Sequence, residues 1–117
     1  MKLREIVNIL KAKKLTADKN DDLDISEACG SDLMSDVMAF VRGNVALLTG
    51  LVNPQVIRTA EMMDIKLVIF VRGKNPSQDI VGLAEEKGII LLTTEYSMYM
   101  ACGKLYQAGV RGRGAEA

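Results

Sequence analysis

Three short apolar runs in the second half of the chain constrain its fold more than any other feature. They occupy residues 45–49, 66–71 and 89–92. Each run is a continuous series of β-branched residues and leucine, which indicates strands that are covered on both faces. Segments with helical spacing of apolar residues separate the runs, so neighbouring strands are predicted to be joined by β-α-β crossovers.

Residues that favour helix starts predict where these intervening helices begin. Asn53 followed by Pro54 predicts one start, Ser77 a second and Thr94 a third. In the first half of the chain, apolar residues at helical spacing predict a helix over residues 3–10. Another helix is predicted to open at residues 31–32, with Leu33 on its buried side. Short strands are predicted near residues 14–16 and 24–29, and a loop is predicted over residues 17–22.

Together these elements predict an α/β fold with three layers, α/β/α, around a mainly parallel central sheet. A length of 117 residues suits one domain. We expect that domain to cover residues 1–109, and residues 110–117 to form a flexible C-terminal tail.

The composition excludes several classes of function. Lysine plus arginine and aspartate plus glutamate number 15 each, and only 4% of residues are aromatic, so neither nucleic acid nor a membrane is expected as a partner. The chain has no histidine, which excludes imidazole-based catalysis and His-bearing zinc sites. No segment reaches the roughly 18 apolar residues of a membrane span, so a cytoplasmic location is expected. Neither G-x-G-x-x-G nor a Walker A motif is present, which argues against a dinucleotide enzyme or an NTPase.

Polar residues follow the three apolar runs, where ligands of open α/β sheets bind. The candidates for a ligand site are Thr49, Gly50, Arg72, Gly73, Thr93 and Thr94. Arg72 and Lys74 flank Gly73 and can contact a phosphate or carboxylate, because glycine lets a ligand approach the backbone. The alternative is that these residues form ordinary turns with solvated charges.

A second polar group lies at the predicted helix start and comprises Ser31, Asp32, Ser35 and Asp36. Asp32 and Asp36 are spaced to share one helix face, where they can hold Mg²⁺ or accept hydrogen bonds from a ribose. The alternative is a helix cap with exposed carboxylates. Cys29 precedes the same helix start, where the helix dipole can lower a thiol pKa and create a reactive thiol; the alternative is a small core residue.

Three tyrosines lie close together near the end of the chain. Tyr96, Tyr99 and Tyr106 fall on or beside the last predicted helix. Because tyrosine is enriched at protein interfaces, this helix is the best candidate for a contact with a second copy or a partner.

The segment from Gly30 to Ala39 resembles the S-D-L-L-S-D-V-M stretch of small DRTGG-domain proteins. The resemblance continues through residues 48–50, 53–54 and 87–91 and ends with the last helix, so it spans residues 1–109. Only Ser31, Asp32, Ser35, Asp36, Thr49 and Gly50 match the family residue by residue. The family's T-G-G corresponds to Val71-Arg72-Gly73 here, its Asp-Arg pair is missing near residues 50–53, and the glycine pair expected before Ser31 is replaced near residues 27–28.

The resemblance implies a compact α/β/α domain, similar to the amino-terminal domain of HPr kinase, without established catalytic activity. Such domains occur beside nucleotide-binding CBS domains in regulated pyrophosphatases, beside phosphotransacetylases, and alone near iron hydrogenase systems. A homodimer and a partner enzyme of the hydrogenase or phosphotransacetylase type are therefore expected.

The sequence thus predicts a regulatory or adaptor domain that is not an enzyme and has no cofactor or metal. It is expected to dimerise and to bind a small anionic ligand such as an adenine nucleotide. Two alternatives remain open at this point. One is a small enzyme with Asp32 or Asp36 as base or metal ligand, and the other is a thiol sensor through Cys29.

Overall fold

The computed structural model describes residues 1–17, 22–40 and 44–112. Five helices and five strands lie within these ranges. In chain order they are α1 Leu3–Leu10, β1 Lys13–Lys14, β2 Glu27–Gly30, α2 Met34–Phe40, β3 Val45–Thr49, α3 Pro54–Met62, β4 Leu67–Phe70, α4 Gln78–Glu86, β5 Ile90–Thr93 and α5 Met98–Gln107.

The strands form one sheet in the order β1-β5-β4-β3-β2. β2, β3, β4 and β5 run parallel, and only the two-residue β1 pairs antiparallel, with β5. The three strands predicted from the apolar runs are therefore adjacent in the sheet. They are completely buried, as expected for strands that are covered on both faces.

Helices cover both faces of this sheet. On one face, α2, α3 and α4 pack against side chains such as Leu47 and Val68. On the other face, α1 and α5 pack against Leu48 and Ile69. Successive residues of a strand point to opposite faces, so each central strand contributes to both cores. The predicted three-layer α/β/α fold is confirmed.

The predicted helix caps are confirmed in two cases and wrong in one. The Asn53 side chain accepts a hydrogen bond from the Gln55 amide at 2.9 Å, and Ser77 accepts one from the Ile80 amide at 3.4 Å. Thr94, however, does not cap the last helix. Ser97 does so, by accepting from the Met100 amide at 3.2 Å.

The second helix begins later than the sequence predicts, at Met34 instead of residues 31–32. Leu33, expected on the buried side, is 54% exposed because it precedes the first turn. Asp32 also lies outside the helix, so the prediction that it shares a helix face with Asp36 is wrong.

The last described residues lie along the sheet edge. Val110 is buried, and the Arg111 carbonyl accepts a hydrogen bond from the Ala28 amide of β2 at 3.0 Å. Residues 113–117 of the predicted tail lie outside the described residues, as does most of the predicted loop at 17–22. Within the described ranges, no helix has both the length and the apolar character needed to cross a bilayer.

Candidate functional site

The four parallel strands end at the same edge of the sheet, and the residues that follow them form a surface that we call the carboxyl rim. This edge is where open α/β sheets bind ligands. The rim comprises Ser31, Asp32, Thr49, Gly50, Arg72, Gly73, Thr93, Thr94 and Glu95.

Asp32 is fixed against the end of β3. Its Oδ1 atom accepts hydrogen bonds from the Thr49 hydroxyl at 2.9 Å and from the Gly50 amide at 2.7 Å. The Thr49 hydroxyl is itself oriented, because it accepts from the Leu51 amide at 3.1 Å. In the described part of the chain, Asp32 Oδ2 has no hydrogen-bond partner, so one carboxylate oxygen remains available to a ligand.

Arg72 follows β4 and holds an unusual backbone conformation. Its φ is 57°, in the left-handed region that costs a residue with a Cβ roughly 1–2 kcal/mol. The Arg72 amide donates to the Tyr96 carbonyl at 2.8 Å, which fixes the turn against the loop before α5. The guanidinium is exposed and makes no ion pair with any described residue.

Gly50 separates these two charged side chains. A Cβ on Gly50 would lie 3.0 Å from Arg72 Nη2, 3.7 Å from Asp32 Oδ1 and 3.8 Å from Asp32 Oδ2. The missing side chain therefore allows a cation to approach the Gly50 backbone closely, with an anion also within 4 Å of the same position.

Gly73, the next glycine of the rim, is packed against a single carboxylate. Its φ is +67°, and its amide donates to the Thr94 carbonyl at 2.7 Å. A Cβ on Gly73 would lie 2.9 Å from Oε1 of Glu95, a residue that the sequence pattern did not single out. This contact depends on how the loop after β4 packs against the loop after β5, which cannot be predicted from the sequence.

Thr93 and Thr94, both predicted as ligand residues, direct their hydroxyls into the fold. Thr93 donates to the Lys74 carbonyl at 2.7 Å, and Thr94 donates to the Leu10 carbonyl at 2.7 Å. Thr94 Oγ1 also accepts from the Tyr96 amide at 3.3 Å. These hydroxyls stabilise the rim from within, so neither is directed towards a ligand on its surface.

The remaining candidates of the second polar group lie beside the rim. The Ser31 hydroxyl accepts from the Leu33 amide at 3.0 Å and so forms the turn that presents Asp32. Ser35 and Asp36 are exposed on α2. Within the described residues, no three side chains of the kinds that ligate metals come together.

The two cysteines are half-buried free thiols. Burial raises the pKa of Cys29, and the negative charge of Asp36 adds to the increase. Burial also raises the pKa of Cys102, with a further contribution from Cys29. The expectation of a lowered thiol pKa at Cys29 is therefore wrong, because Cys29 lies in β2, before α2 begins at Met34, and its thiol is desolvated.

A groove of about 280 Å³ lies between the β2 edge and α5, and the sequence pattern did not predict it. Ala28, Gly30, Cys102, Tyr106 and Arg111 are among its lining residues. Small residues at alternate positions of β2 were its only sequence signal.

The outer side of α5 exposes aromatic side chains. Tyr99 is 85% exposed and Tyr106 is 59% exposed, and their spacing of seven residues places them on one side of the helix. The Arg111 guanidinium lies 4.0 Å from the Tyr106 ring centroid. Tyr96 is only half-buried, and the Lys104 ammonium lies 4.8 Å from its ring centroid.

Comparison with known families now identifies this arrangement. The model of the DRTGG domain matches residues 5–108, which is most of the chain. The protein belongs to the DRTGG family. Among curated proteins, none matches the sequence.

A solved structure with the same fold supports the assignment. It contains the CBS and DRTGG domains of the regulatory region of Clostridium perfringens pyrophosphatase, in complex with the activator diadenosine tetraphosphate. The TM-score is 0.78 at 18% sequence identity, and the match covers 92% of the present chain. It covers 46% of that structure, so this DRTGG domain spans about half of the regulatory region.

The structure shows a consequence of one departure from the DRTGG pattern, at Arg72. In the resemblance drawn from the sequence, Arg72 corresponds to a glycine of the family's T-G-G, and its backbone has a left-handed φ of 57°. Glycine adopts that conformation without strain, whereas arginine does not. The rim of this DRTGG domain thus carries a guanidinium at a position where its backbone conformation is costly.

Proposed function

We propose that this DRTGG domain is a non-catalytic regulatory or adaptor module that binds a small anionic ligand, such as an adenine nucleotide, at the carboxyl rim. It acts as a homodimer, or docked on a partner enzyme, through the exposed side of α5. Arg72 is the residue that contacts the anion.

The proposal rests on the position of the Arg72 guanidinium. It lies close to Gly50 and has no ion-pair partner among the described residues. Backbone strain is retained mainly where the surrounding structure enforces it, and it clusters at ligand sites. Hydrogen bonds from the Arg72 and Gly73 amides to the Tyr96 and Thr94 carbonyls, at 2.8 and 2.7 Å, enforce it here. A planar guanidinium presented in this way suits a phosphate or carboxylate, which it can bind through two parallel hydrogen bonds.

The comparison with the pyrophosphatase supports a regulatory role. That protein's CBS and DRTGG domains belong to a regulatory region, and the complex contains an adenine nucleotide activator. A ligand site at the rim of the present domain would allow a related kind of control.

The two alternative functions receive less support. The Asp32 carboxylate holds the β3 turn through Oδ1, and Asp36 lies on α2, which begins after Asp32, so the two do not share a helix face. The raised pKa of Cys29 keeps its thiol protonated near neutral pH, which disfavours a reactive thiolate.

A thermal-shift screen with AMP, ADP, ATP and inorganic phosphate tests the ligand. A compound present at 100 times its Kd stabilises the protein by about 2.7 kcal/mol, which is a readily measured rise in Tm. We expect at least one compound to raise the Tm of the wild type and of Arg58→Gln, but not of Arg72→Gln.

Arg58 is the matched control, because it is an exposed arginine in the middle of α3. Equal shifts in all three proteins would remove Arg72 from the site. No shift with any compound would contradict ligand binding.

Light scattering tests the dimer. Tyr99 and Tyr106 each present a large aromatic surface at low conformational cost, as interface residues do. We expect the wild type to be a dimer and Tyr99→Ser/Tyr106→Ser to be a monomer. The Tm of the variant should equal that of the wild type once the contribution of dimerisation, which depends on protein concentration, is subtracted. A wild-type mass of one chain over the accessible concentration range would contradict this part of the proposal.

A further inference from the structure

We infer that the rim selects phosphate ligands that also carry sugar hydroxyls, as ribonucleoside phosphates do, and that Asp32 is the residue that reads those hydroxyls. This inference rests on the proposed binding of an anion at Arg72. It adds the ligand class and a specificity-determining residue.

The geometry around Gly50 brings opposite charges to one point without pairing them. The Cβ position of Gly50 lies 3.0 Å from Arg72 Nη2 and 3.8 Å from Asp32 Oδ2. A ligand group that packs over the Cα atom of Gly50 would lie beside both side chains. Nevertheless the two make no ion pair with each other. The space therefore suits a molecule with a hydrogen-bond donor on one side and an anionic group on the other.

Sugar phosphates have this combination. A ribose hydroxyl donates to a carboxylate oxygen, which is how open α/β sheets bind the ribose of dinucleotides. The phosphate of the same molecule accepts from the guanidinium. Asp32 Oδ2 faces such a ligand already oriented, because its sister oxygen is held by the Thr49 hydroxyl at 2.9 Å and the Gly50 amide at 2.7 Å.

The same carboxylate disfavours the commonest competitor. Inorganic phosphate offers Asp32 mainly negative oxygen atoms, so its approach to Arg72 is opposed by like charge. Asp32 thus contributes to selectivity in two ways: it attracts the hydroxyls of a ribonucleotide, and it repels a free phosphate.

The variant Asp32→Asn isolates this role. Asparagine keeps Oδ1 as an acceptor for Thr49 and Gly50, so the turn is retained, and it replaces the charged Oδ2 with an amide. A Tm within about 1 °C of the wild type would show that the turn is intact. Gln55→Ala, an exposed position in the first turn of α3, is the control for nonspecific effects.

Isothermal titration of the full chain with AMP, 2′,3′-dideoxy-AMP and inorganic phosphate is the test. In the wild type and in Gln55→Ala we expect AMP to bind about tenfold or more tightly than the dideoxy compound, the loss expected when a hydrogen bond to a charged group is removed. In Asp32→Asn we expect that ratio to fall towards one and the affinity for inorganic phosphate to rise.

Other outcomes separate this inference from the proposed function. Equal affinity of the wild type for AMP and dideoxy-AMP, with binding lost in Arg72→Gln, would overturn the role of Asp32 and leave the anion site standing. A hydroxyl preference that survives in Asp32→Asn would also overturn it. Binding of none of the three compounds would overturn both.

The amino acid glycine serves as an additional probe, because its ammonium and carboxylate could also bridge the two charges. Asp32-dependent binding of glycine without AMP binding would assign the site to amino acids instead.

Discussion

Gly50 and Gly73 occupy corresponding places in the molecule, and they serve different ends. Each lies just beyond the carboxyl end of a central parallel strand. Gly73 has a φ of +67°, and the Glu95 carboxylate fills the space where its side chain would be. Gly50 needs no left-handed backbone, and its missing side chain lets the Arg72 guanidinium approach the backbone closely, with the Asp32 carboxylate nearby. Gly73 needs a left-handed backbone and meets one carboxylate, whereas Gly50 has an ordinary backbone and lies beside both a cation and an anion.

The difference shows that a glycine after a strand is not by itself a sign of a ligand site. Gly30, at the end of β2, is a third case, because a Cβ there would lie 2.7 Å from Cys102 Sγ and 2.9 Å from Met98 Sδ. Its role is close packing of α5 on the sheet. Among these three strand ends, Gly50 alone has both a cation and an anion among the nearest atoms at its Cβ position, and these two side chains make no ion pair with each other.

The largest effect is expected for Gly73→Ala. The left-handed backbone and the displacement of Glu95 together should cost about 2 kcal/mol of unfolding free energy, or roughly 10 °C in Tm. Urea unfolding measures it. The double variant Gly73→Ala/Glu95→Ala should regain the stability that is lost through the clash with Glu95. The loss that comes from the left-handed φ should remain. An unchanged stability of Gly73→Ala would contradict both the left-handed backbone at Gly73 and its close contact with Glu95.

A different kind of effect is expected for Gly50→Ala. Because its backbone is ordinary and the Arg72 side chain can move aside, the unfolding free energy should change by less than about 0.5 kcal/mol. The added methyl group occupies the space between the charges, so the affinity for AMP should fall about tenfold, as measured by titration calorimetry. A stable variant with full affinity would show that the ligand does not use this space.

A smaller loss of stability is expected for Gly30→Ala. The new methyl group must displace two sulfur atoms, and both belong to side chains that are only partly buried, so about 1 kcal/mol is expected. Gly30→Ala/Cys102→Ala should be more stable than the sum of the two single changes predicts. Additive losses in this cycle would contradict the packing role.

The smallest effect has the opposite sign and comes from a glycine outside the rim. Gly82 lies within α4, is exposed, and has open space at its Cβ position. Gly82→Ala should therefore raise the unfolding free energy by about 0.5–1 kcal/mol without changing AMP affinity. Destabilisation by this change would show that the space at a Cβ position does not determine what a glycine does in this molecule.

The central strands and their order of crossovers could be predicted because residues such as Leu47, Ile69 and Leu91 are completely buried, and continuous apolar runs of this length are typical of strands covered on both faces. The edge strand β2 was harder to bound, since Glu27, Ala28 and Cys29 are only partly buried and carry no continuous pattern. Thr94 and Ser97 are both of a residue type that caps helices. In the structure the Thr94 hydroxyl instead donates to the buried Leu10 carbonyl at 2.7 Å, a contact that the sequence does not show.

The candidate site could be predicted in part for the same reason. Gly50 and Arg72 were identified because parallel strands end at one edge, and Asp32 was identified as part of a polar group at a predicted helix start; the structure brings all three together. The sequence could not show that Asp32 leaves the helix to hold the β3 turn, nor that Thr93 bonds inward. It also could not distinguish Gly50 from Gly73, since φ and the approach of Glu95 depend on contacts between distant loops.

The central claim is that the space above Gly50 holds the anion. Amide chemical-shift mapping by ¹⁵N–¹H NMR during titration with AMP tests it most directly. We expect the largest shifts at Gly50, Leu51, Arg72 and Gly73, and we expect them to disappear in Arg72→Gln. Shifts centred instead on the β2–α5 groove, at Gly30, Cys102 and Tyr106, or no shifts at all, would contradict it.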